Sequence, residues 1–228
     1  MIKKECQIAE LIGILLGDGS LSLREYNPTS INRLKITLNS KDDLEYVSYV
    51  TSLLECLFKT KPLVRFRSNE NTVDILIFKK EVIKYVIEEL GLKLSPKWNN
   101  AIIPQSYNSK ELGLFVIRGY FDTDGCLVTT NNNGIIYPRL EMKVCPSPMQ
   151  CQFIQLLKNY DFNIGVYQIG RGEVRIQMNG KKELHKWVKL IGFSNPKHSK
   201  KLVRFIREPN LSKSHFYENN VINKIKEN

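Results

Sequence analysis

Two nine-residue stretches decide the fold: residues 11–19, LIGILLGDG, and residues 117–125, IRGYFDTDG. Each is typical of a mostly apolar helix that ends in an Asp-Gly pair. Gly13 and Gly119 each have another small residue four positions further along, on the same face of the helix. Two helices that carry such faces can approach each other closely.

The aspartates that close the two stretches, Asp18 and Asp124, are unusual at this position. A carboxylate in the last turn of a helix lies against the negative end of the helix dipole. A divalent cation held between two converging helix ends would offset that cost. A single Asp-Gly pair is common in ordinary turns, but the symmetric pair in a basic protein favours a metal site.

The composition indicates a globular protein with an anionic partner. The 228 residues include 34 Lys+Arg and 23 Asp+Glu, a net charge of +11. This charge favours nucleic acid as the partner, although it also fits an ordinary basic protein. The five cysteines form no CxxC pair, and neither a secretion signal nor a membrane-length apolar run is recognised. We therefore expect reduced thiols and an intracellular location, in the cytoplasm or an organelle matrix.

The chain contains the same unit twice. The predicted strand RLKITL at 33–38 matches RLEMKV at 139–144. Their offset is 139 − 33 = 106, the same as the offset 124 − 18 = 106 between the two aspartates. The order helix, two strands, helix, two strands, helix then recurs in both halves, with units predicted at 1–105 and 106–228.

We therefore predict an α+β fold of two pseudo-symmetric αββαββα repeats. Each repeat forms an antiparallel four-stranded sheet with helices on one face. A pseudo-twofold axis through the paired apolar helices would join the two sheets into a basic, DNA-binding saddle. Helix N-caps are expected at Ser40, Ser109 and Ser147.

Basic and amide side chains are predicted on the open faces of the two sheets. Arg and Lys can read guanine in the major groove and Gln can read adenine, while others in the set contact phosphate only. The sequence does not divide the set between these roles. Its members are Arg24, Arg33, Lys35, Arg65, Arg67, Arg139, Lys143, Arg171, Arg175 and Gln177.

Two lysines occupy matching places after the last strands of the repeats. Lys97 lies in SPK and Lys197 in NPK. A cation beside a phosphate can stabilise developing negative charge, although ordinary surface lysines also follow helices. A basic run after Lys197 is interpreted as phosphate contacts or as a solvated basic face: Lys200, Lys201, Arg204 and Arg207.

These features resemble the LAGLIDADG homing endonucleases, in the single-chain form with two motifs. Both stretches match the pattern in length, in the central Gly13 and Gly119, and in the closing Asp-Gly. The resemblance covers essentially the whole chain. Two departures are that Leu16 replaces an acidic position kept at Asp122, and that Arg118 stands where the pattern has a small residue. Arg118 would disturb close helix packing unless it faced outward.

The resemblance implies residue roles. Asp18 and Asp124 would be the catalytic pair that binds Mg²⁺ or Mn²⁺, with the main-chain oxygens of Gly17 and Thr123 nearby. Lys97 would be the catalytic lysine of the first half.

Lys197 is expected to be the corresponding lysine of the second half, with Lys200 as its rival.

The function implied is a monomeric, site-specific endonuclease that uses a divalent metal to make a staggered double-strand break with 3′ overhangs. Its host would be an element such as a mobile intron, and a complete intein is not expected because the chain lacks a His-Asn ending. Two alternatives stay open on the same fold. One is an RNA maturase that assists splicing of a group I intron, and the other is a DNA-binding regulator that does not cleave.

Overall fold

The computed structural model describes residues 3–133 and 135–207. The first repeat consists of α1 (Lys4–Gly17), β1 (Gly19–Ser22), β2 (Arg33–Asn39), α2 (Leu44–Phe58), β3 (Leu63–Phe66), β4 (Thr72–Ile77) and α3 (Lys80–Lys84), which a π-helical turn (Tyr85–Glu89) extends. A short 3₁₀ helix (Gln105–Tyr107) precedes the second repeat. This repeat consists of α4 (Gly113–Asp124), β5 (Gly125–Asn132), β6 (Ile135–Val144), α5 (Met149–Asn159), β7 (Ile164–Gln168), β8 (Val174–Asn179), α6 (Lys181–Leu190) and α7 (Pro196–Arg207).

The two sheets share one topology. Their strand orders are β1-β2-β4-β3 and β5-β6-β8-β7, and every pairing is antiparallel. Ile36 pairs with Ile75 in the first sheet, and Met142 pairs with Ile176 in the second. All four side chains are buried, because alternate residues of each strand face the helices. The predicted α+β fold with two αββαββα repeats is confirmed.

Helices α1 and α4 pack backbone against backbone where they cross. A Cβ added to Gly13 would lie 2.1 Å from the carbonyl oxygen of Val116, and one added to Gly119 would lie 2.1 Å from that of Glu10. Glu10 and Val116 are themselves 106 positions apart, so the two contacts are equivalent under the predicted pseudo-twofold axis. The small residues therefore permit the close approach that the sequence predicts.

Arg118 does not loosen this packing, because it is paired across the helix interface. One of its terminal nitrogens donates to Glu10 Oε2 at 2.5 Å, and its guanidinium lies over the Phe115 ring. Tyr49 donates its hydroxyl to the other oxygen of Glu10 at 2.9 Å. Glu10 is 1% exposed, so a buried charge is matched by a cation and a hydroxyl donor.

The predicted serine N-caps are wrong. Helix α2 begins at Leu44, because Asn39 Oδ1 accepts the N–H groups of Lys41 and Asp42 in a turn that delays the helix. Ser40 instead donates its N–H to the Asn71 carbonyl.

In the second repeat, Ser109 Oγ accepts from Leu112 N–H, yet α4 begins only at Gly113. The Ser147 hydroxyl donates to the Cys145 carbonyl, and α5 begins at Met149. The serines form turns that precede the helices.

Helix α7 was not predicted from the sequence. Pro196 occupies its first turn, where the missing N–H is no disadvantage. Leu202 and Phe205 are buried beneath it, while lysines and arginines cover the outer surface. Within the described residues, none of the helices has the length and apolar character needed to cross a membrane.

The close contact between α1 and α4 predicts that adding a single methyl group at the crossing destabilises the protein. In Gly119→Ala, the new Cβ meets the backbone of α1, which cannot rotate away as a side chain does. We expect a loss of about 3 kcal/mol in unfolding free energy, measured by urea denaturation. The control is Gly165→Ala, where the atoms nearest the new Cβ belong to the side chain of Tyr167, which is exposed and can turn aside. Equal stability of the two variants would contradict the packing account.

The buried ion pair predicts a second stability result. In Arg118→Met, Glu10 keeps a buried charge without a cationic partner, and we expect the free energy of unfolding to fall by about 3–5 kcal/mol. The double variant Glu10→Val/Arg118→Ile copies the apolar pair at the symmetry-related positions, Val116 and Ile12, and should be as stable as the original or more so. Urea denaturation of the unmodified protein and both variants measures this. A double variant that is less stable than Arg118→Met would contradict it.

Candidate active site

The two aspartates lie at the same end of the crossed helices. Asp18 follows the last residue of α1, and its N–H is bonded to the carbonyl of Ile14 at 3.0 Å. Asp124 is the last residue of α4. Its Oδ2 lies 3.2 Å from where a Cβ of Gly17 would be, so the carboxylate rests against the final turn of α1. The close approach at the glycines thus brings the two acidic groups together.

The environment of this pair disfavours two negative charges. Burial raises the pKa of Asp18 to about 7, and the charge of Asp124 adds to the shift. Burial also raises the pKa of Asp124, whose side chain lines a cleft that opens to solvent. Lys97 and Lys197 oppose both shifts.

Within residues 3–133 and 135–207, neither carboxylate accepts a hydrogen bond. The pair therefore presents oxygen atoms whose negative charge the surrounding protein only partly compensates.

Lys97 lies against the end of α1, near both aspartates. Its Nζ donates to the carbonyl of Leu16 at 3.0 Å and to the carbonyl of Gly17. Burial lowers the pKa of Lys97, while the charges of Asp124 and Asp18 raise it. The ammonium thus already places positive charge at the negative end of α1.

The Lys97 loop crosses from the first repeat to the second. Asn99 donates its N–H to the carbonyl of Pro146 at 2.5 Å, and Met149 donates to the carbonyl of Ala101. The loop forms one wall of a cleft of about 380 Å³ whose lining includes Lys97, Asp124 and Lys143. An anion in this cleft would meet two lysines beside a carboxylate.

Lys197 lies close enough to the pair for its charge to act on both aspartates. Its Nζ lies 2.8 Å from Oδ1 of Asp43, a carboxylate that is 5% exposed. Its charge lowers the pKa of Asp18. The rival Lys200 instead pairs with Glu45 at 2.5 Å on the exposed surface. Of these two lysines, Lys197 is therefore the one that the structure brings to the aspartates.

Asp122 fixes the segment that carries Lys197. Its Oδ2 accepts the N–H groups of Ser194 at 2.7 Å and Asn195 at 3.1 Å. Asp122 is fully buried, and burial raises its pKa well above the usual range. The acidic position that Leu16 replaces in the first repeat therefore has a structural use in the second. Sequence reasoning assigned neither Asn195 nor Asp43 to the site.

Seven of the ten predicted DNA-contacting residues lie on strands with their side chains on the open sheet faces. Lys35 pairs with Leu76, and its neighbours along the strand, Leu34 and Ile36, face the core. The seven are Arg33, Lys35, Arg65, Arg139, Lys143, Arg175 and Gln177.

The other three predicted residues lie outside the strands. Arg24 follows β1, which ends at Ser22 because the chain then turns, and Arg67 follows β3. Arg171 is exposed in the turn between β7 and β8, where φ is +50°.

Some of these charges are already matched by acidic neighbours. Arg67 bonds Asp74 through Nε at 2.9 Å and Glu70 through Nη1 at 2.9 Å. Arg139 pairs with Glu141 at 2.9 Å, and Gln177 donates to the same carboxylate at 3.3 Å.

Two other arginines lack such a partner at one atom. The Nε atoms of Arg33 and Arg175 are buried and have no hydrogen-bond partner among the described residues. The open faces therefore combine fixed and uncommitted cationic groups.

The basic run of α7 lines a second cleft of about 410 Å³ with Lys197, Lys200, Lys201 and Arg204. The side chain of Arg207 lies outside the described part of the chain. Lys201 contacts Cys126 Sγ at 3.4 Å. Asp42 and Glu45 also line this cleft, so it carries acidic as well as basic groups.

The residues at the helix ends fit a hard divalent cation. Mg²⁺ and Mn²⁺ prefer oxygen ligands, and Mg²⁺ typically binds one or two carboxylates together with waters and substrate phosphates. Asp18 and Asp124 supply such a pair, next to the main-chain oxygens of Gly17 and Thr123. No group of three or more His, Cys, Asp or Glu side chains suited to a metal occurs in the described ranges. A cation here would therefore depend on two carboxylates, the backbone and the substrate.

Comparison with known proteins identifies the same architecture. A model described as the LAGLIDADG DNA endonuclease family matches residues 8–186. The structure of I-DmoI in complex with DNA and Mn is similar at a TM-score of 0.59 and 16% identity, covering 84% of this chain and 99% of that chain. I-DmoI has also been solved with DNA and Ca. The N-terminal LAGLIDADG domain of DUF199/WhiA is similar at a TM-score of 0.55 and 17% identity, and the match covers 84% of this chain and 83% of that chain.

A relative by sequence is the replication factor C small subunit of Methanocaldococcus jannaschii. It is 25% identical over 213 residues, which cover 90% of this chain and 10% of that protein. The chain therefore spans about a tenth of the length of the curated relative that it matches.

The raised carboxyl pKa values predict how stability depends on pH without metal. Asp18 holds its proton to about pH 7 in the folded state but only to about pH 4 when unfolded. The folded state binds more protons across this window, so the unfolding free energy falls as pH rises from 4 to 7. Asp18→Asn should remove this loss and be on the order of 2 kcal/mol more stable than the unmodified protein at pH 8 in EDTA.

Denaturation at pH 4 and pH 8 measures this difference. Mn²⁺ at pH 8 should stabilise the unmodified protein but not Asp18→Asn, because only the former has two carboxylates. A variant that loses stability at pH 8 would contradict the placement of the pair.

Proposed function

The chain belongs to the LAGLIDADG DNA endonuclease family, and we propose that it is a site-specific endonuclease that cuts both strands of duplex DNA with the help of a divalent cation. The observation that carries this proposal is the pair of carboxylates at the crossed helix ends, Asp18 and Asp124. A carboxylate with a raised pKa and no hydrogen bond is costly in a folded protein. Binding a cation removes that cost, so the arrangement is suited to catalysis more than to stability.

Asp18 and Asp124 would hold the cation, with the main-chain oxygens of Gly17 and Thr123 beside them. When bound, Mg²⁺ or Mn²⁺ would polarise the scissile phosphate and lower the pKa of a water. The protein's own contribution is to fix the carboxylates on two rigid helices.

Lys97 adds positive charge where the phosphate enters. Its ammonium bonds the carbonyl of Gly17, and it would turn toward the cleft if that oxygen were to hold a cation.

The open sheet faces would hold the DNA duplex. Positive charge supplies most of the affinity for DNA without regard to sequence, and side chains in the major groove supply the specificity. We assign the contacts in the major groove to the seven residues on the strands, and phosphate contacts at the rims of the sheets to Arg24 and Arg171. The DNA complexes of I-DmoI support a DNA partner.

Two unequal repeats fit a long, nearly asymmetric target bound by one chain. We propose units at 1–105 and 106–228, each contacting one half of the site, in a monomer. Cuts at the two aspartates would be offset along the duplex and leave 3′ overhangs. A mobile intron is the proposed host element.

A DNA-binding protein that does not cleave is the second candidate. It is favoured by one observation, namely that Lys97 bonds the Gly17 carbonyl and Lys197 bonds Asp43, so both lysines are already engaged. The WhiA domain has a similar fold. Such a protein would bind duplex DNA with the same salt dependence and leave it intact with any cation.

Cleavage of a defined duplex separates the candidates. The probe is the DNA obtained by joining the two sequences that flank the element carrying the gene. With Mg²⁺ we expect both strands to be cut, and Asp18→Asn or Asp124→Asn to slow cutting at least a hundredfold, because each removes a charged ligand. Lys97→Met should slow cutting roughly tenfold or more.

The matched control is Asp42→Asn, which changes the same charge at an exposed residue near the site and should cut at the original rate. Tight binding in Ca²⁺ with no cleavage in Mg²⁺ or Mn²⁺ would favour the second candidate. Absence of binding would contradict both.

A further inference from the structure

The surroundings of the two lysines break the pseudo-symmetry of the molecule. Lys97 bonds the carbonyls of Leu16 and Gly17 at the end of α1. The matching carbonyl at the end of α4 belongs to Asp122, and it accepts the side-chain amide of Asn195 at 2.9 Å. Lys197 Nζ lies instead 2.8 Å from Oδ1 of Asp43.

Asp43 is held from both repeats. Its Oδ2 accepts the N–H of Asn39 at 3.2 Å, within its own repeat. Its Oδ1 accepts Asn195 Nδ2 at 2.7 Å and lies 2.8 Å from Lys197 Nζ, both from the second repeat. Three donors thus fix a carboxylate that is almost fully buried.

The position equivalent to Asp43 in the other half of the molecule carries no carboxylate. The residue 106 positions after Asp43 is Met149, which is 1% exposed and lines the cleft that contains Lys97. A thioether neither neutralises nor orients an ammonium. The first lysine is consequently held by backbone carbonyls, and the second is held by a side chain.

We propose that Asp43 is the positioning residue of Lys197, and that one of the two strand cuts depends on it while the other does not. This inference rests on the proposed function. A long lysine side chain loses rotamer freedom when it is ordered, and the buried pair offsets that loss before DNA binds.

The test measures nicking of each strand in the same complex. The duplex joined across the host element is labelled differently on its two strands, and single-turnover rates are followed in Mg²⁺. Lys197→Met identifies the strand whose cut needs Lys197. Asp43→Asn should slow that strand about tenfold and leave the other within twofold.

Because one bound protein cuts both strands, weaker folding or weaker binding lowers both rates together and leaves their ratio unchanged. Asp42→Asn is the control for the change of charge and should leave the ratio unchanged.

A second pair of variants separates positioning from a merely structural role. If Asp43 acts through Lys197, then Asp43→Asn should slow the chosen strand no further in a protein that already carries Lys197→Met. Asn195→Ala, which removes the amide that holds Asp43, should shift the ratio in the same direction if Asp43→Asn fails to fold. Equal slowing of both strands, no change in the ratio, or full additivity with Lys197→Met would overturn the proposal.

A readout without DNA keeps this proposal distinct from the proposed function. Pulse labelling of amines followed by mass spectrometry should find Lys197 protected relative to Lys200, whose side chain is 61% exposed compared with 21% for Lys197. Asp43→Asn should remove the protection, whereas Asp42→Asn should not.

If the unmodified protein cuts neither strand, the proposed function fails, and loss of protection in Asp43→Asn alone still supports the positioning of Lys197. Unchanged protection in Asp43→Asn would overturn it.

Discussion

The backbone contact between α1 and α4 is the constraint on which the rest of the structure depends. At Gly13 and Gly119 no side chain separates the helices, and each glycine faces a carbonyl of the other helix. Because the contacts are equivalent, they define the axis that relates the two sheets. The same approach brings the helix ends together, so a packing requirement in the core determines the distance between two carboxylates at the surface.

The molecule tolerates charge in this interface in two different ways. Glu10 is buried with Arg118 and a tyrosine hydroxyl, so its charge is matched inside the protein. Asp18 and Asp124 lack such partners and repel each other, which is why burial and mutual charge raise the pKa of Asp18. The ion pair of Glu10 therefore contributes to the pairing of the repeats. The uncompensated charge of the two aspartates suits a site that binds a cation and a phosphate.

Much of the fold could be predicted from the sequence because it depends on local patterns and their repetition. Alternation along residues 33–38 and the recurrence at 139–144 predicted the sheets, and the small residues of the two motifs predicted the helix crossing. Contacts between residues that are far apart in the sequence could not be predicted in this way. Asp43 and Asn195 are 152 positions apart. Arg118 was expected to disturb the helix packing because nothing in the local pattern indicates its pairing with Glu10 on the other helix. Helix starts were misplaced because serine hydroxyls and Asn39 form turns that compete with helix caps.

The central claim is that Asp18 and Asp124 together bind one or more divalent cations at the DNA. Its most direct measurement is anomalous diffraction from crystals of the protein grown with Mn²⁺ and the duplex joined across the host element. The account predicts Mn²⁺ peaks at the crossed helix ends, within coordinating distance of both carboxylates and of a phosphate oxygen. Bound DNA with no Mn²⁺ peak at either carboxylate, or with the two carboxylates far apart, would contradict it.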